Sequence, residues 1–341
     1  MEEKQPGIAV IGAGAIGGAT AAFMKKAGWE PEIVCKHRET VERISERGLR
    51  ITGLRGEHSV RIKAVRDISE LSGTKDFVFL ATKATDCLHA ARDLLSVLRP
   101  DSTVISLQNG ICEDALAHIL GKERVLGCVV GWGATNKGPG EIEMTSEGEF
   151  VVGNMDHEPD ERLLFVQEML NAVYPTRISL NIMGELYSKL IINSCINSLG
   201  VIGGVTLGKL LADQKARKIF VEIMREAMSV AEAMQIKVEP AGGGKLDYNQ
   251  FLAETGVFAG LKRYLTIRVI GFKYRRIKSS SLQSLERGRK TEIDFLNGYI
   301  CDQGKVHGVK TPTNDAVRAM VLEIDDGKRE MSLRNLQELT L

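Results

Sequence analysis

A glycine-rich fingerprint near the N-terminus constrains the fold of this chain more than any other feature. Residues 7–11 form a short apolar run, and Gly12, Gly14 and Gly17 then follow in the spacing G-x-G-x-x-G. The next residues, 18–28, are mostly good helix formers and end in a glycine. A strand, a tight turn and a helix in this order predict a βα unit that binds a dinucleotide.

Each glycine has a separate task in such a unit. Gly12 makes the tight turn, Gly14 lets the backbone approach a pyrophosphate, and Gly17 lets the helix pack closely on the strand. The helix N-terminus offers free N–H groups and a partial positive charge to the phosphates. The residues that we predict to contact the cofactor here are Gly12, Ala13, Gly14, Ala15, Ile16 and Gly17.

The end of the next predicted strand, 32–35, indicates which dinucleotide is bound. An acidic residue at this point would bind the ribose 2′-hydroxyl of NAD. Here Lys36, His37 and Arg38 follow the strand, and basic groups suit a 2′-phosphate. Glu39 comes next, and a solvated cluster of charges is the alternative explanation. We predict NADP as the cofactor, with Lys36 among its contacts.

Length, charge and cysteine content limit the class of protein. The chain has 341 residues, enough for two domains, and 43% of them are hydrophobic. A formal net charge of +1 gives no reason to expect a nucleic-acid partner. Six cysteines without metal-type spacing indicate reduced thiols in a cytoplasmic protein without a bound metal. The charged N-terminus is unlike a signal peptide, and no apolar run is long enough to span a membrane.

Alternating strand and helix patterns continue through the first half of the chain. The predicted helices in this half are 86–98 and 159–172, and the remaining predicted strands are 49–52, 59–64, 76–82, 103–107, 124–130, 141–145 and 175–179. Lys83 follows the central strand and Asn109 follows the next one, so both are expected at the ligand-binding edge of a parallel sheet.

Helical periodicity dominates from residue 181 onward, with long helices predicted over 213–234 and 281–307. We therefore expect a doubly wound α/β domain of Rossmann type over residues 1–180, followed by an all-α domain over residues 181–341. The first domain would bind NADP, and the second would carry the substrate site. Whether the helical half also forms a homodimer interface stays open.

One predicted helix carries an unusual polar stripe. Lys189, Asn193 and Asn197 are spaced four residues apart, and leucine and isoleucine surround them. On a helix this spacing makes one stripe about 12 Å long. A largely buried helix must give such a stripe polar partners or a wet cleft. The alternative is a surface pair between Lys189 and Glu185, with asparagines that bond core backbone groups.

A second segment is unusually basic. Residues 262–278 contain seven lysines and arginines and no acidic residue. Such a segment could gather an anionic substrate, although a solvated helix face is the more common explanation.

Several motifs in order make the chain resemble the ketopantoate reductase family. The resemblance runs nearly end to end and depends on motifs rather than on any single residue. These motifs are Gly12–Gly17, Lys83, residues 107–110 (LQNG), residues 185–190 (ELYSKL) with the two asparagines, residues 289–294 (RKTEID) and residues 308–314 (GVKTPTN).

The resemblance implies NADPH-dependent reduction of 2-dehydropantoate to pantoate, a step toward pantothenate and coenzyme A. In the family's pattern, Lys189 corresponds to the catalytic lysine and Glu292 to the active-site glutamate. The positions that correspond to substrate contacts are Asn109, Asn193, Asn197 and Ser280. Lys83 and Asn109 also correspond to positions near the cofactor, and Glu292 could contact either the substrate or the nicotinamide ribose.

Some departures from the family pattern keep alternatives open. Tyr187 stands where members commonly have tryptophan, and Leu207 stands near a position where some members have a substrate-contacting asparagine. A related NAD(P)-dependent reductase of another 2-oxo or 3-hydroxy acid is therefore the first alternative. A nucleotide-sensing protein without catalysis is the second, and it would not need Lys189, Asn193 and Glu292 together.

Overall fold

The computed structural model describes residues 5–156, 158–244, 246–253 and 257–340. The chain divides into two compact units, Met1–Met183 and Gly184–Leu341. Within the described residues, we find no helix with the length and apolar character that a bilayer crossing requires.

Among the residues that the structure describes, all of the β-strands lie in the first unit. They are β1 Ile8–Ile11, β2 Pro31–Val34, β3 Leu49–Gly53, β4 His58–Val60, β5 Lys63–Val65, β6 Lys75–Leu80, β7 Leu98–Ser106, β8 Val125–Val130, β9 Gly133–Gly138, β10 Glu141–Ser146, β11 Phe150–Asn154 and β12 Thr176–Ile178. Its helices are α1 Ala15–Lys26, α2 Arg38–Arg47, α3 Cys87–Leu94, α4 Glu113–Leu120 and α5 Glu161–Asn171.

The strands form two sheets. An eight-stranded sheet has the order β12-β11-β8-β7-β6-β1-β2-β5, and a four-stranded sheet has the order β4-β3-β10-β9. In the large sheet β1 pairs in parallel with β2 on one side and with β6 on the other. The order of the strands therefore reverses at β1, which places the loop after β1 at a topological switch point.

Helix α1 shows why the sequence after the fingerprint is rich in small residues. Every residue from Gly17 to Met24 is buried, because α1 contacts strands of both sheets. A Cβ atom at Gly18 would overlap the Ile142 side chain of β10. Glycine and alanine allow the helix to lie close to two layers at once, so the composition reflects packing as well as ligand binding.

The second unit is helical within its described residues. Its helices are α6 Ile182–Gly203, which begins at the unit boundary, α7 Leu207–Ala212, α8 Gln214–Ala233, α9 Ala241–Gly244, α10 Tyr248–Ala253, α11 Val257–Lys273, α12 Ser280–Glu286, α13 Asn297–His307, α14 Pro312–Asp325 and α15 Asn335–Glu338. Helix α8 packs against α7, α10, α11, α13, α14 and α15. Its buried residues recur every three or four positions and include Ile219, Ile223, Ala227 and Val230.

The predicted fold class is confirmed, but three predicted elements were wrong in detail. The strand expected over 59–64 is two strands, since β4 pairs with β3 and β5 pairs with β2 in the other sheet. The helix expected over 86–98 ends at Leu94, and β7 begins at Leu98. The helix expected over 281–307 is interrupted, because Gly288 takes a positive φ of 69° just after α12.

Candidate functional site

Four neighbouring parallel strands of the large sheet end at one edge, in the order β7-β6-β1-β2. Each of these strands is followed by residues that the sequence singled out: Asn109 after β7, Lys83 after β6, the glycine loop after β1 and Lys36 after β2. Parallel strands bring their carboxyl ends to the same edge, which is where open α/β sheets bind ligands. The fold thus gathers all the predicted sites of the first unit.

The glycine loop has the geometry that the fingerprint predicts. Gly12 has a φ of 110°, and a Cβ atom there would lie 2.8 Å from the carbonyl oxygen of Ala81. A Cβ atom at Gly17 would overlap the Gly12 carbonyl oxygen and lie 2.8 Å from Ala81 Cβ. By contrast, a Cβ atom at Gly14 would meet nothing within 4 Å. The backbone conformation and close packing therefore require glycine at positions 12 and 17. Gly14, in contrast, borders open space.

The space at Gly14 suits a phosphate group. Gly14 is the N-cap of α1 and makes no side-chain cap, so the first N–H groups of the helix lie around it without a local side-chain acceptor. These N–H groups and the helix dipole favour an anion. The residues present therefore fit the pyrophosphate of a dinucleotide.

The end of β2 is basic and exposed. Lys36 Nζ lies 3.4 Å from Asp86 Oδ2, and both side chains are largely in solvent, so this pair is weak. Arg38 donates to Glu42 at 2.6 Å along the first turns of α2. His37 is the N-cap of α2 and contributes no side-chain cap. The helix N-terminus and Lys36 together offer positive potential beside this strand.

A glutamine connects the ends of β6 and β7. Gln108 Nε2 donates to Thr82 Oγ1 at 2.9 Å and to the backbone carbonyls of Thr82 and Lys83 at 3.3 Å and 3.2 Å. Gln108 is buried, whereas the flanking Lys83 and Asn109 are half-buried. Gln108 was not among the predicted site residues, although it lies in the same LQNG motif as Asn109. Its amide fixes the two loops that carry Lys83 and Asn109.

The other predicted residues lie in the second unit, and α6 carries three of them. Lys189 and Asn193 are half-buried, and Asn197 is buried. Asn197 Oδ1 accepts a hydrogen bond of 3.0 Å from Ser280 Oγ at the start of α12. The stripe on α6 is therefore joined to a residue that lies 83 positions further along the chain.

Gly200 explains how α12 approaches the stripe. A Cβ atom at Gly200 would lie 2.5 Å from Ser279 Oγ and 3.0 Å from Ser279 Cβ. Ser279 is the N-cap of α12, and its hydroxyl accepts from Leu282 N at 3.3 Å. Gly200 was not among the predicted site residues, and its position three residues after Asn197 on the same helix was the available signal.

The opposite side of α6 is anchored in the core. Tyr187 is fully buried, and its hydroxyl donates to the carbonyl of Ala227 in α8 at 3.1 Å. Burial raises the pKa of the Tyr187 hydroxyl above its usual range. Tyr248 likewise donates to the carbonyl of Ser188 at 2.6 Å. These bonds fix the rotation of α6 and hence the direction of its polar stripe.

Glu292 lies in a segment that is held at both sides. Before it, Thr291 donates through its backbone N–H and its hydroxyl to the carboxylate of Asp325, the hydroxyl at 2.6 Å. After it, Asp294 accepts from Arg318 at 2.8 Å. Glu292 itself is half-buried and precedes the 3₁₀ turn Ile293–Phe295. The RKTEID motif thus places Glu292 between two fixed points.

The GVKTPTN motif has a structural explanation. Gly308 takes the left-handed conformation that ends α13, and Pro312 begins α14. The backbone N–H groups of Thr313 and Asn314 donate to the carboxylate of Glu226 in α8 at 2.7 Å and 2.9 Å. Glu226, which the sequence analysis did not single out, therefore caps α14 and fixes it to α8.

Comparison with known proteins gives one consistent family. Residues 8–157 match the family described as ketopantoate reductase PanE/ApbA, and residues 181–325 match its C-terminal domain. The chain is 30% identical to 2-dehydropantoate 2-reductase of Pyrococcus horikoshii over 92% of this chain and 96% of that protein. It is 28% identical to the Aquifex aeolicus 2-dehydropantoate 2-reductase over 92% of this chain and 94% of that protein.

Two solved structures resemble the chain over nearly its whole length. A PanE/ApbA family ketopantoate reductase from Ralstonia eutropha is 28% identical, with a TM-score of 0.80 over 95% of this chain and 99% of that one. A D-mandelate dehydrogenase solved with NADH and anilino(oxo)acetate is 25% identical, with a TM-score of 0.80 over 94% of this chain and 98% of that one.

Proposed function

The chain belongs to the ketopantoate reductase PanE/ApbA family, and on that premise we propose that it reduces 2-dehydropantoate to pantoate with NADPH. The chain is an NADP-dependent oxidoreductase that acts on a CH–OH group. The finer proposal, that ketopantoate is its substrate and that it serves pantothenate and coenzyme A biosynthesis, depends most on the stripe of α6. Lys189, Asn193 and Asn197 share one face of that helix. The hydrogen bond between Asn197 and Ser280 connects this face to a second helix, α12.

The proposed chemistry assigns separate tasks to these residues. Bound NADPH would supply a hydride to the carbonyl carbon of the substrate. Negative charge then develops on the carbonyl oxygen, and we assign Lys189 Nζ to donate a proton to it and to stabilise that charge. Asn193 and Asn197 orient the substrate carboxylate and hydroxyl without adding charge. Ser280 holds the Asn197 amide in place from α12.

We assign the cofactor to the unit that holds the glycine loop. Residues Gly12 to Gly17 and the N-terminus of α1 would bind the pyrophosphate, and Lys36 would bind the 2′-phosphate. Lys83 and Asn109, fixed by Gln108, would lie near the nicotinamide end. Glu292 would accept a hydrogen bond from a substrate hydroxyl or the nicotinamide ribose. In this proposal residues 1–180 bind NADP and residues 181–341 bind the substrate.

The direct test of function is NADPH oxidation with a panel of 2-oxo acids. We expect ketopantoate to give the highest kcat/KM. A larger kcat/KM for another 2-oxo acid would overturn ketopantoate as the proposed substrate but keep the proposed reaction class. No turnover with any acid in the panel would favour a non-catalytic protein.

A second candidate substrate is an aryl 2-oxo acid. The observation that favours it is the TM-score of 0.80 to a D-mandelate dehydrogenase, at 25% identity. Phenylglyoxylate in the same panel separates the two substrates, and NADH in parallel reactions separates the two cofactors.

The cofactor preference gives a prediction at Lys36. We expect Lys36→Glu to raise the KM for NADPH and narrow the preference over NADH, because it places a negative charge beside the proposed 2′-phosphate. The pair with Asp86 is exposed, so the variant should fold normally. Lys122→Glu, an exposed lysine before β8, is the matched control and should leave both KM values unchanged. Equal use of NADH by the wild type would contradict this assignment.

The asparagines give a prediction about substrate binding. Asn193→Ala and Asn197→Ala should each raise KM and lower kcat, because lost orientation weakens the transition state as well as the ground state. Each loss should be worth ~1–3 kcal/mol if the amide is a buried partner of the substrate. Asn249→Ala, exposed on α10, is the control. Folded variants with wild-type kinetics would show that the stripe is structural.

Partners and location follow the same proposal. The partner is a small 2-oxo acid, and we propose neither a nucleic-acid nor a membrane partner. We propose a cytoplasmic enzyme, which the six free cysteines support. We also propose a homodimer, with its interface in the helical second unit.

A further inference from the structure

The loop 107–112 joins the end of β7 at Ser106 to the start of α4 at Glu113, and it carries Asn109. The Asn109 side chain is half-buried, and no hydrogen bond to another described residue holds it. The direction of its amide therefore depends on the backbone of this loop. What fixes that backbone also fixes Asn109.

The first part of the loop is held on the sheet. The backbone N–H of Leu107 donates to the carbonyl of Leu80 in β6 at 2.9 Å. Gln108 follows, and its amide donates to Thr82 and Lys83 beyond the same strand. These contacts determine where the chain enters the loop, whereas the course of residues 109–112 depends on how the chain joins α4.

A glutamate lies at that junction. Glu113 is the first residue of α4 and is fully buried. Its Oε2 accepts from the backbone N–H of Cys112 at 2.9 Å. Cys112 is the N-cap of α4 and makes no side-chain cap. The Glu113 carboxyl thus supplies an acceptor at a helix end that its N-cap residue leaves without one.

The same carboxyl also lies beside the residue that precedes the loop. Burial raises the pKa of Glu113, and its own backbone N–H and the nearby Ser106 hydroxyl oppose this rise. Ser106 is fully buried, and neither its Oγ nor Glu113 Oε1 forms a hydrogen bond with another described residue. Buried polar atoms need partners, and these two can satisfy each other. One side chain therefore lies between the two ends of the loop.

A buried carboxyl at this position calls for a reason. Ile111, Cys112 and Leu116, its neighbours along the chain, are buried and mostly apolar. An apolar side chain would avoid the loss of stability that burial of a carboxyl causes. It could not, however, bind the chain at two separate points. Those two bonds are what the carboxyl adds.

We propose that Glu113 is a positioning residue that acts through Asn109. Its carboxyl accepts from the Cys112 N–H and pairs with the Ser106 hydroxyl, so it closes the base of the loop and fixes the Asn109 amide. The inference rests on the proposed placement of Asn109 near the nicotinamide end of NADPH. A loop that is ordered before binding loses less entropy when the cofactor binds, so cofactor affinity is the quantity that responds.

Fluorescence titration with NADPH tests this role. Glu113→Ala should raise the Kd about 3–10-fold, which corresponds to the loss of one hydrogen bond. Glu113→Gln should stay within about twofold of wild type, because its amide can accept from Cys112 and donate to Ser106. Leu120→Ala is the matched control. It removes a buried side chain at the other end of α4 and should leave the Kd unchanged.

A double-mutant cycle separates positioning from a general loosening of α4. In an Asn109→Ala protein, the added change Glu113→Ala should raise the Kd by less than about twofold. Independent effects would overturn this inference alone, whereas a wild-type Kd in Asn109→Ala would overturn the placement of Asn109 and this inference with it. A wild-type Kd in folded Glu113→Ala, or an equal loss of affinity in Glu113→Gln or Leu120→Ala, would also overturn it.

Ser106→Ala provides a second entry to the same cycle. It removes the other contact at the base of the loop and should also raise the Kd for NADPH, with little further effect in the Asn109→Ala protein. This variant decides the question if Glu113→Ala does not fold. A wild-type Kd in Ser106→Ala would overturn the proposed pairing of Ser106 with Glu113.

Discussion

Lys189→Ala should lower turnover by about 10²–10⁴-fold, the usual worth of a positioned general acid. The reduced ketone must receive a proton, and Lys189 is the ionisable member of a stripe whose other members, Asn193 and Asn197, are neutral amides. Cofactor affinity should be nearly unchanged, because the glycine loop belongs to the other compact unit. Steady-state NADPH oxidation gives the turnover, and a fluorescence titration gives the affinity.

Two further variants sharpen this result. Lys189→Arg should restore little activity, because a guanidinium does not readily give up a proton. Lys218→Ala on α8 removes an exposed lysine from the same unit and should behave as wild type. A folded Lys189→Ala protein that turns over within about threefold of wild type would remove Lys189 from the mechanism, since that difference is below the worth of a general acid.

The fingerprint made the first unit predictable because its constraints are local. Gly12 needs a positive φ, Gly17 allows the turn and helix to touch, and the run of small residues that follows packs between layers. Strands that carry continuous apolar runs, such as β1 and β6, were likewise visible from sequence. Their parallel pairing brings the polar residues after them to one edge, so the location of these candidate cofactor residues could be predicted with the fold.

Long-range contacts were not predictable in the same way. Nothing local shows that Asn197 meets Ser280, because the contact depends on the close approach that Gly200 allows between α6 and α12. The interruption after α12 also depends on a distant partner. Thr291 donates a hydrogen bond to Asp325, and this contact keeps the chain from continuing as one helix. The resemblance to the family supplied Asn197 and Ser280, and the structure supplies the physical reason for their contact.

Strands β9 and β11 were missed for a compositional reason. β9 reads Gly-Ala-Thr-Asn-Lys-Gly, which has neither apolar alternation nor a buried run, and it is ordered by antiparallel pairing with β10. β11 is fully buried but follows a glycine-bearing loop closely. Pairing partners rather than intrinsic preference determine such strands.

Glu113 gives the second large prediction, which concerns stability. It is the first residue of α4 and is fully buried. Its Oε2 accepts from the backbone N–H of Cys112 at 2.9 Å, while its Oε1 has no hydrogen-bond partner among the described residues. Burial raises the pKa of this carboxyl to about 7, against the opposing effect of its own backbone N–H, the nearby Ser106 hydroxyl and the Cys112 N–H. The folded protein therefore holds a proton that an unfolded chain would release near pH 4.5.

The consequence is a loss of stability as the pH rises. Between pH 4.5 and about 7 the folded state binds more protons than the unfolded state, so the free energy of unfolding falls through this window and then levels off. Glu113→Gln keeps an acceptor for Cys112 and removes the titration. Its free energy of unfolding relative to wild type should therefore rise across the window by about 3 kcal/mol.

Urea unfolding at several pH values measures this difference. Trp29 and Trp132, the two tryptophans of the chain, both lie in the first unit, so their fluorescence reports on the unit that contains Glu113. Glu46→Gln, the same substitution at an exposed position of α2 in the first unit, is the matched control and should show no rise relative to wild type through the same window. A Glu113→Gln protein whose stability stays parallel to that of wild type from pH 4.5 to 8 would show that Glu113 is ionised in the folded state. In that case the carboxylate must have partners beyond the Cys112 N–H, because an ion in a fully buried position is otherwise too costly to keep.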